Sequence, residues 1–340
     1  MKGALIGCGF FAENQMKAWQ SLPEVEIVAV CDPDPARREH FQTHFGVTQT
    51  FAEAQALFEQ CRPDFVDIAA PTPAHESLVR LAADHGVAII CQKPFAGSPD
   101  RAKALIQYCE HRGVSLSVHE NFRWQYAVRE VIRRVRDDEI GTPFFGRISY
   151  RNGFDVYQNQ PYLARAERFI IEDLGIHVLD IARALLGDVS RLSCETNRIN
   201  PGIQGEDVAT MMLRHDGGAT SIVDCSYATH LTPDPFPQTL IDIDGTRGSL
   251  RLTADERIYI HTRDGCQCHK VTAHGPDWST PPWTIIQESV VAFQAHWLEC
   301  HHAGVEADTS GRDNYNTLAL VDAAYEAAAH HTVMMPKRWS

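Results

Sequence analysis

From Lys2 to Val118 the chain alternates short apolar runs with helix-forming segments, and few architectures accept that rhythm. Lys2 to Gly7 is an apolar run ending at a glycine turn, and Glu13 to Leu22 is helical in pattern. Val25 to Cys31 is β-branched and closed by Asp32; Pro35 to Phe45 follows, with Pro just inside the start and Gly46 just past the end, the asymmetry of helix termini. Phe65 to Ala69 reads as a third strand ending at Pro71-Thr72-Pro73, Ala74 to His85 as a helix stopped by Gly86, and Val87 to Cys91 as a fourth strand. A helix from Pro99 to Arg112 leads to Val114 to Val118. Strands separated by helices of about a dozen residues imply right-handed βαβ units and a doubly wound parallel sheet covered on both faces.

After Asn121 the pattern changes. One helix (Val128 to Arg136), a strand (Phe144 to Arg151) and a second helix (Asp173 to Leu186) precede a series of alternating strands: Asp207 to Arg214, Ala219 to Tyr227, Thr239 to Asp244, Ser249 to Thr253 and Arg257 to Thr262. Turn signals such as His215-Asp216-Gly217-Gly218 and Asp264-Gly265 separate them, as in antiparallel pairs. The expected division is residues 1–121 and 122–340, an α/β chain of two domains, with a closing helix from Tyr315 to His331 packed back on the body.

Charge and cysteine usage exclude several classes. Lys+Arg number 31 against 44 Asp+Glu, a net charge of -13, which argues against a nucleic-acid binder. The one basic run, Arg133, Arg134 and Arg136, is followed by Asp137-Asp138-Glu139 and reads as a solvated helix face. No apolar stretch reaches the roughly 18 residues of a membrane span, and glycines inside Met1 to Ala12 make that run a buried strand rather than a leader. Ten scattered cysteines, several in strand-like runs, fit reduced core thiols and a cytoplasmic protein. Cys266-Gln267-Cys268-His269 is too closely spaced for a zinc knuckle, so no metal is expected.

Gly7-Cys8-Gly9-Phe10-Phe11-Ala12 follows the first strand and opens the first helix. In a dinucleotide site the first glycine makes the turn, the second lets backbone approach the pyrophosphate, and the small third residue permits close helix packing. Asp32 ends the second strand about 20 residues further on, where a carboxylate accepts from ribose hydroxyls and repels the extra phosphate of NADP. NAD is therefore expected over NADP, with Arg37 and Arg38 keeping the alternative open; the competing reading of Asp32 is a helix cap.

The glycine motif, Gln92-Lys93-Pro94, Asn121-Phe122-Arg123 and Asp173-Leu174-Gly175-Ile176-His177, in that order over essentially the whole chain, resemble the glucose-fructose oxidoreductase/inositol dehydrogenase/rhizopine catabolism family. The resemblance implies a Rossmann domain followed by an α/β domain on a mostly antiparallel sheet, and NAD(P)-dependent oxidation or reduction of a carbohydrate carbinol. Cys91 to Phe95, Glu120 to Trp124 and Phe169 to Asp180 look most like the branch that includes D-apiose dehydrogenases. Where the family usually carries Glu before the lysine, this chain has Gln92, whose amide retains hydrogen-bonding capacity toward a cofactor. Lys93 follows a strand at the carboxyl edge of the sheet, where an ammonium can hold a reacting hydroxyl.

Asp173, His177 and Asp180 fall at i, i+4, i+7 beside an apolar stripe. That spacing alone serves a polar outer face, with Asp173 as cap, as well as a catalytic one. The resemblance favours catalysis: His177 as proton acceptor, with an unperturbed imidazole pKa of roughly 6.5, Asp173 as orienting group and Asp180 as structural. It also implies cofactor contacts from Phe10, Phe11, Thr72, His75, Gln92, Lys93 and Asn121, and sugar contacts from Lys93, Asn121, Arg123, Asp173 and His177; Arg165 is a further sugar candidate from its place in a loop of the second domain. The expected activity is oxidation of the anomeric carbinol of a small aldose to an aldonolactone. Oxidation of a secondary ring alcohol, redox-neutral glycoside cleavage with retained NAD, and a non-catalytic nucleotide sensor are the alternatives. A sheet with one open face needs covering, so a homodimer or homotetramer is expected.

Overall fold

The computed structural model describes residues 1–339. In chain order the elements are β1 (Lys2–Ile6), α1 (Phe10–Gln20), β2 (Glu26–Cys31), α2 (Pro35–Phe45), β3 (Gln49–Phe51), α3 (Ala54–Cys61), β4 (Phe65–Ile68), α4 (Thr72–Asp84), β5 (Ala88–Gln92), α5 (Pro99–Glu110) and β6 (Leu116–His119). They continue with α6 (Tyr126–Arg136), β7 (Pro143–Arg151), α7 (Ile176–Leu186), β8 (Val189–Asn197), β9 (Val208–His215) and β10 (Thr220–Ser226). Last come β11 (Leu240–Gly245), β12 (Gly248–Thr253), β13 (Arg257–Thr262), β14 (Gly265–Lys270), α8 (Thr284–Ala303) and α9 (Gly311–His330). Two compact units result. One holds Met1–Glu120, Val290–Tyr315 and Trp339; the other holds Asn121–Ser289 and Asn316–Arg338.

The first unit is a six-stranded parallel sheet in the order β3-β2-β1-β4-β5-β6. Asp34 caps α2 through the Ala36 N–H at 2.9 Å, and Gly46 ends it with φ 70°. Leu5 and Val30 of the sheet pack against Ala12 and Met16 of α1 and Phe41 of α2. Phe65 to Ala69 is the fourth strand, not the third. The pair β3 and α3, three and eight residues long, is too short to announce itself by periodicity. The segment Val290–Tyr315 belongs with this unit: Thr309 accepts from the Val118 N–H at 2.8 Å and donates its hydroxyl to the Val118 carbonyl at 2.9 Å, covering the β6 edge. Trp297 packs on Trp19 and Phe65. Helix α8 escaped the sequence pattern because buried Gln287, Ser289 and Gln294 interrupt its apolar face.

The second unit is built on eight strands in the order β14-β13-β12-β11-β7-β10-β9-β8, antiparallel throughout except for the β7/β10 pair. Along β9, buried Ala209, Met211 and Leu213 alternate with exposed Thr210, Met212 and Arg214. Helix α7 covers the buried face so closely that a Cβ on Gly146 would lie 2.7 Å from Leu186 Cδ1. On the other face Arg147 and Arg151 flank buried Asp224. The basic run in α6 is not wholly solvated, since Arg134 is buried and paired with Glu139 at 3.0 Å.

Inside this unit Arg123 and Asp180 form a two-pronged ion pair, Nε–Oδ2 and Nη2–Oδ1 both 2.6 Å, with the carboxylate also accepting from Thr317 at 3.0 Å. Both side chains are buried. Asp180→Leu therefore strands a guanidinium and is expected to cost about 3–5 kcal/mol in chemical denaturation, whereas Arg123→Met with Asp180→Leu recovers much of the loss. Equal destabilisation of the single and double variants contradicts the pairing argument.

Candidate functional site

In the first unit the glycine turn is fixed by sterics. Gly7 has φ +96°, and a Cβ there would lie 2.6 Å from the carbonyl carbon of Ala69 and from the Ala70 nitrogen. Gly9, the residue before α1, has no atom within 4 Å of its would-be Cβ, so the start of the helix is open to an approaching group. Asp32 is buried between this turn and the next: Oδ2 accepts from the Cys8 N–H at 2.8 Å and Oδ1 from the Asp34 N–H at 2.9 Å. Each oxygen keeps a second lone pair. Arg38 turns back to the carbonyls of Asp32 (2.6 Å) and Pro33 (3.0 Å), while exposed Arg37 lies 3.8 Å from the carboxylate. Phe10 is partly exposed beside Gly9, and Phe11 packs edge-on against His119.

At the ends of β4 and β5 the picture is more structural than the sequence implied. Thr72 opens α4. His75 is buried with Nε2 2.7 Å from the Ala70 carbonyl and Nδ1 2.9 Å from that of Pro94, so its ring ties these two turns together instead of facing a ligand. Burial pushes its pKa down against the pull of the two carbonyls. Gln92 accepts from the Lys93 N–H at 3.2 Å, and its Nε2 is a buried donor with no partner among the described residues. Lys93 is half-buried immediately beyond β5. The open Gly9, the Asp32 lone pairs and the orphaned Gln92 amide, all on carboxyl ends of parallel strands, fit a dinucleotide.

The second unit gathers Asp173 and His177 on one side of its sheet. Ile171–Gly175 forms a π-helical turn leading into α7, so the regular helix expected from Asp173 onward is interrupted there. The expected outer face is buried too: His177 is 5% and Asp180 0% exposed. The imidazole of His177 stacks on Phe122, with centroids 3.9 Å apart and planes 6° apart, and Phe122 in turn meets Tyr150 at 5.6 Å. Tyr227 donates its hydroxyl to Asp173 Oδ2 at 3.2 Å; burial, and then the Asp173 charge, push the phenol well above its usual range, so it stays a donor.

Other expected residues have different company. Arg123 commits its fork to Asp180, and Asn121 donates to the Ser289 hydroxyl at 2.7 Å, which gives both structural partners. Arg165 is exposed at the end of a short 3-10 turn. The sequence gives no sign of Asn152, buried just past β7 on the side of Tyr150: its Oδ1 accepts from the Phe154 N–H at 3.1 Å and its Nδ2 has no partner among the described residues. Neither Tyr150, Asn152 nor Tyr227 lies in a local motif; only the pairing of β7 with β10 makes them neighbours. Exposed Cys266 and Cys268 lie on β14, and no group of three metal-ligating side chains occurs among the described residues.

Comparison with known proteins bears on both units. Residues 1–120 match the model described as an oxidoreductase family with an NAD-binding Rossmann fold, and residues 128–251 match the GFO/IDH/MocA C-terminal domain. A D-apiose dehydrogenase of Paraburkholderia graminis is 54% identical over 96% of this chain and 87% of its own length. A second, from Rhizobium rhizogenes, is 52% identical over 97% and 96%. An oxidoreductase from Agrobacterium radiobacter, solved in complex with NAD+, L-tartaric acid and magnesium, superimposes with a TM-score of 0.97 at 52% identity, covering 98% of each chain. With both halves matched in order on a Rossmann sheet and a mostly antiparallel second sheet, the chain belongs to the GFO/IDH/MocA family of NAD-binding oxidoreductases.

Proposed function

We propose that this protein is an NAD-dependent D-apiose dehydrogenase, oxidising the anomeric carbinol of the small aldose to an aldonolactone. The observation that carries this reading is identity above one half, over nearly the full chain, to two D-apiose dehydrogenases. The site geometry supplies the roles. Removing two hydrogens from a carbinol sends a hydride from carbon and a proton from oxygen to separate acceptors. NAD, when bound, supplies the hydride acceptor. Lys93 holds the reacting hydroxyl and stabilises developing negative charge on its oxygen. His177, its plane fixed against Phe122, takes the proton. Asp173, held by Tyr227, accepts from a sugar hydroxyl and orients it. Gln92 uses its Nε2, which has no partner among the described residues, on the cofactor, and exposed Arg165 acts at the edge of the sugar site.

The protein acts in the cytoplasm as a homodimer or homotetramer. Ten free thiols support the first statement. Exposed Met212, on the face of the sheet opposite the one α7 covers, supports the second.

NADH formation measured over a panel of pentoses, hexoses and inositols tests the substrate. D-apiose is expected to give the highest kcat/KM and a lactone product, and Lys93→Met to lose turnover while NAD binding is largely kept. Comparable rates on inositol, or near-normal turnover in the variant, contradict the assignment. For the proton acceptor, oxidation is expected to fall at acid pH as His177 becomes protonated, and His177→Ala to lose that limb with most of its rate. An unchanged pH profile in His177→Ala moves the role elsewhere.

Asp32 carries the cofactor preference. Its carboxylate meets a ribose hydroxyl favourably and a 2′-phosphate with like charge. Arg38 is held on backbone carbonyls and so does not offset that repulsion. The ratio of kcat/KM for NAD over NADP is expected to favour NAD in the wild type and to fall by about tenfold or more in Asp32→Ser. An unchanged ratio contradicts this role.

A further inference from the structure

The carboxylate of Asp67 takes no part in the chemistry above, yet it is fully buried among neutral donors. It lies on β4 with 0% exposure and accepts from Gln15 Nε2 at 2.7 Å and Trp19 Nε1 at 2.8 Å, both on one face of α1. Gln15 and Trp19 are neutral, and the other titratable group facing Asp67 is the buried thiol of Cys91 on β5, itself pushed well above its usual range by burial. From β1 the neighbour is Leu5, and α8 adds Trp297 against Trp19 and Gln294 on the Gln15 carbonyl. The charged residues of α1, Glu13 and Lys17, lie two positions away from Gln15 and so point off this face. Among the described residues no cation pairs with this negative charge.

The node also accepts a proton without losing its hydrogen bonds. Gln15 Oε1 is buried with no partner among the described residues. With Asp67 ionised, the Gln15 amide donates to it; with Asp67 protonated, the amide turns over and its oxygen accepts the carboxyl O–H. Trp19 donates to the second oxygen in either case.

We propose that Asp67 is a positioning residue for α1 whose protonation is coupled to cofactor binding, so that NAD bound at the Gly9 end of the helix takes up a proton from solvent at Asp67. Gln15 stands five residues into α1, about 7.5 Å along its axis from the end that faces the pyrophosphate. The space between is packed side chain, where charge is weakly screened. A dianionic pyrophosphate therefore disfavours the ionised carboxylate and raises its pKa. Burial already holds that pKa at about 7, so the further rise falls where a neutral buffer registers it. The sign follows: below the free-state pKa the carboxyl is neutral and NAD binds best, and affinity is lost as pH rises through the bound-state value. The inference rests on NAD as the cofactor.

Calorimetric titration of the whole protein with NAD at pH 7.5, in phosphate and in Tris, reads the proton directly. For a rise of about one pH unit, the wild type is expected to take up about half a proton per NAD, and its Kd to tighten about eightfold from pH 9 to pH 6. Asp67→Asn retains an acceptor for Trp19 and a donor for Gln15 Oε1. It is expected to bind NAD with the uptake abolished and the pH dependence flattened. Uptake that persists in Asp67→Asn, or NAD binding without uptake in the wild type, overturns this proposal alone; absence of NAD binding overturns the cofactor reading and this proposal with it. Should Asp67→Asn not fold, infrared difference spectra of aspartate-labelled wild type decide the matter. A protonated-carboxyl band gained on adding NAD supports the proposal, and its absence overturns it.

Discussion

The turn between β1 and α1 has room for a backbone and nothing more, and much of the first unit is arranged around it. With a methyl at Gly7 the chain would collide with the Ala69 carbonyl, so β1 and β4 could not end side by side as they do. Because they do, the Ile6 carbonyl accepts from the Ala69 N–H at 2.7 Å, the Gly7 N–H reaches the Cys31 carbonyl at 2.8 Å, and the Cys8 N–H meets Asp32. His75 extends the same bracing to the turn after β5 through Ala70 and Pro94. The positions of Asp32 and Lys93 thus follow from one glycine that brings no side chain into the turn and one histidine whose ring is spent on backbone. Preorganisation of this kind is what lets short loops hold functional groups without large side-chain networks.

Features that demand a residue type were legible in the sequence; those that demand only a partner were not. Gly7, Asp32 and Gly46 each satisfy a local rule of turn or cap chemistry, and the parallel sheet followed from strand and helix lengths alone. By contrast Arg123 and Asp180 are 57 residues apart, and no local pattern pairs them. The sequence puts Arg123 on the sugar and Asp180 in a structural role; the structure turns them toward each other. The spacing of Asp173 and His177 presumed a regular helix, whereas a π-turn carries Asp173. Asn152 became visible only through the register of β7 against β10. The return of Val290–Tyr315 to the first unit was hidden for a related reason: an edge covered through Thr309 and Val118 needs two hydrogen bonds, and two hydrogen bonds leave no periodic signature.

Two buried aspartates show how much the neighbour decides. Asp180 has a guanidinium on both oxygens and a hydroxyl besides, so its charge is an anchor that locks α7 to the segment bearing Phe122, against which His177 stacks. Asp67 is equally buried but receives only neutral donors. An ion pair at Asp67 would have made α1 indifferent to the charge of what binds at its end. Neutral donors leave it responsive, because the cost of ionising a buried carboxyl stays largely unpaid.

Discrimination among sugars follows from the same bookkeeping of unpaired groups. Aromatic rings such as those of Phe122, Tyr150 and Tyr227 separate ligands by shape only weakly, since one methylene more or less is worth about 1–3 kcal/mol. Buried polar atoms discriminate more sharply. The Nδ2 of Asn152 has no partner among the described residues, and a buried donor left unmet costs about 1–3 kcal/mol. Any ligand oxygen that reaches it recovers that cost, and an analogue lacking the hydroxyl does not. Asp173, which accepts from Tyr227 at Oδ2, adds a group of opposite polarity. A donor and an acceptor on one face of the second unit, set against flat rings, select for the spacing of hydroxyls more than for the size of the ring that carries them.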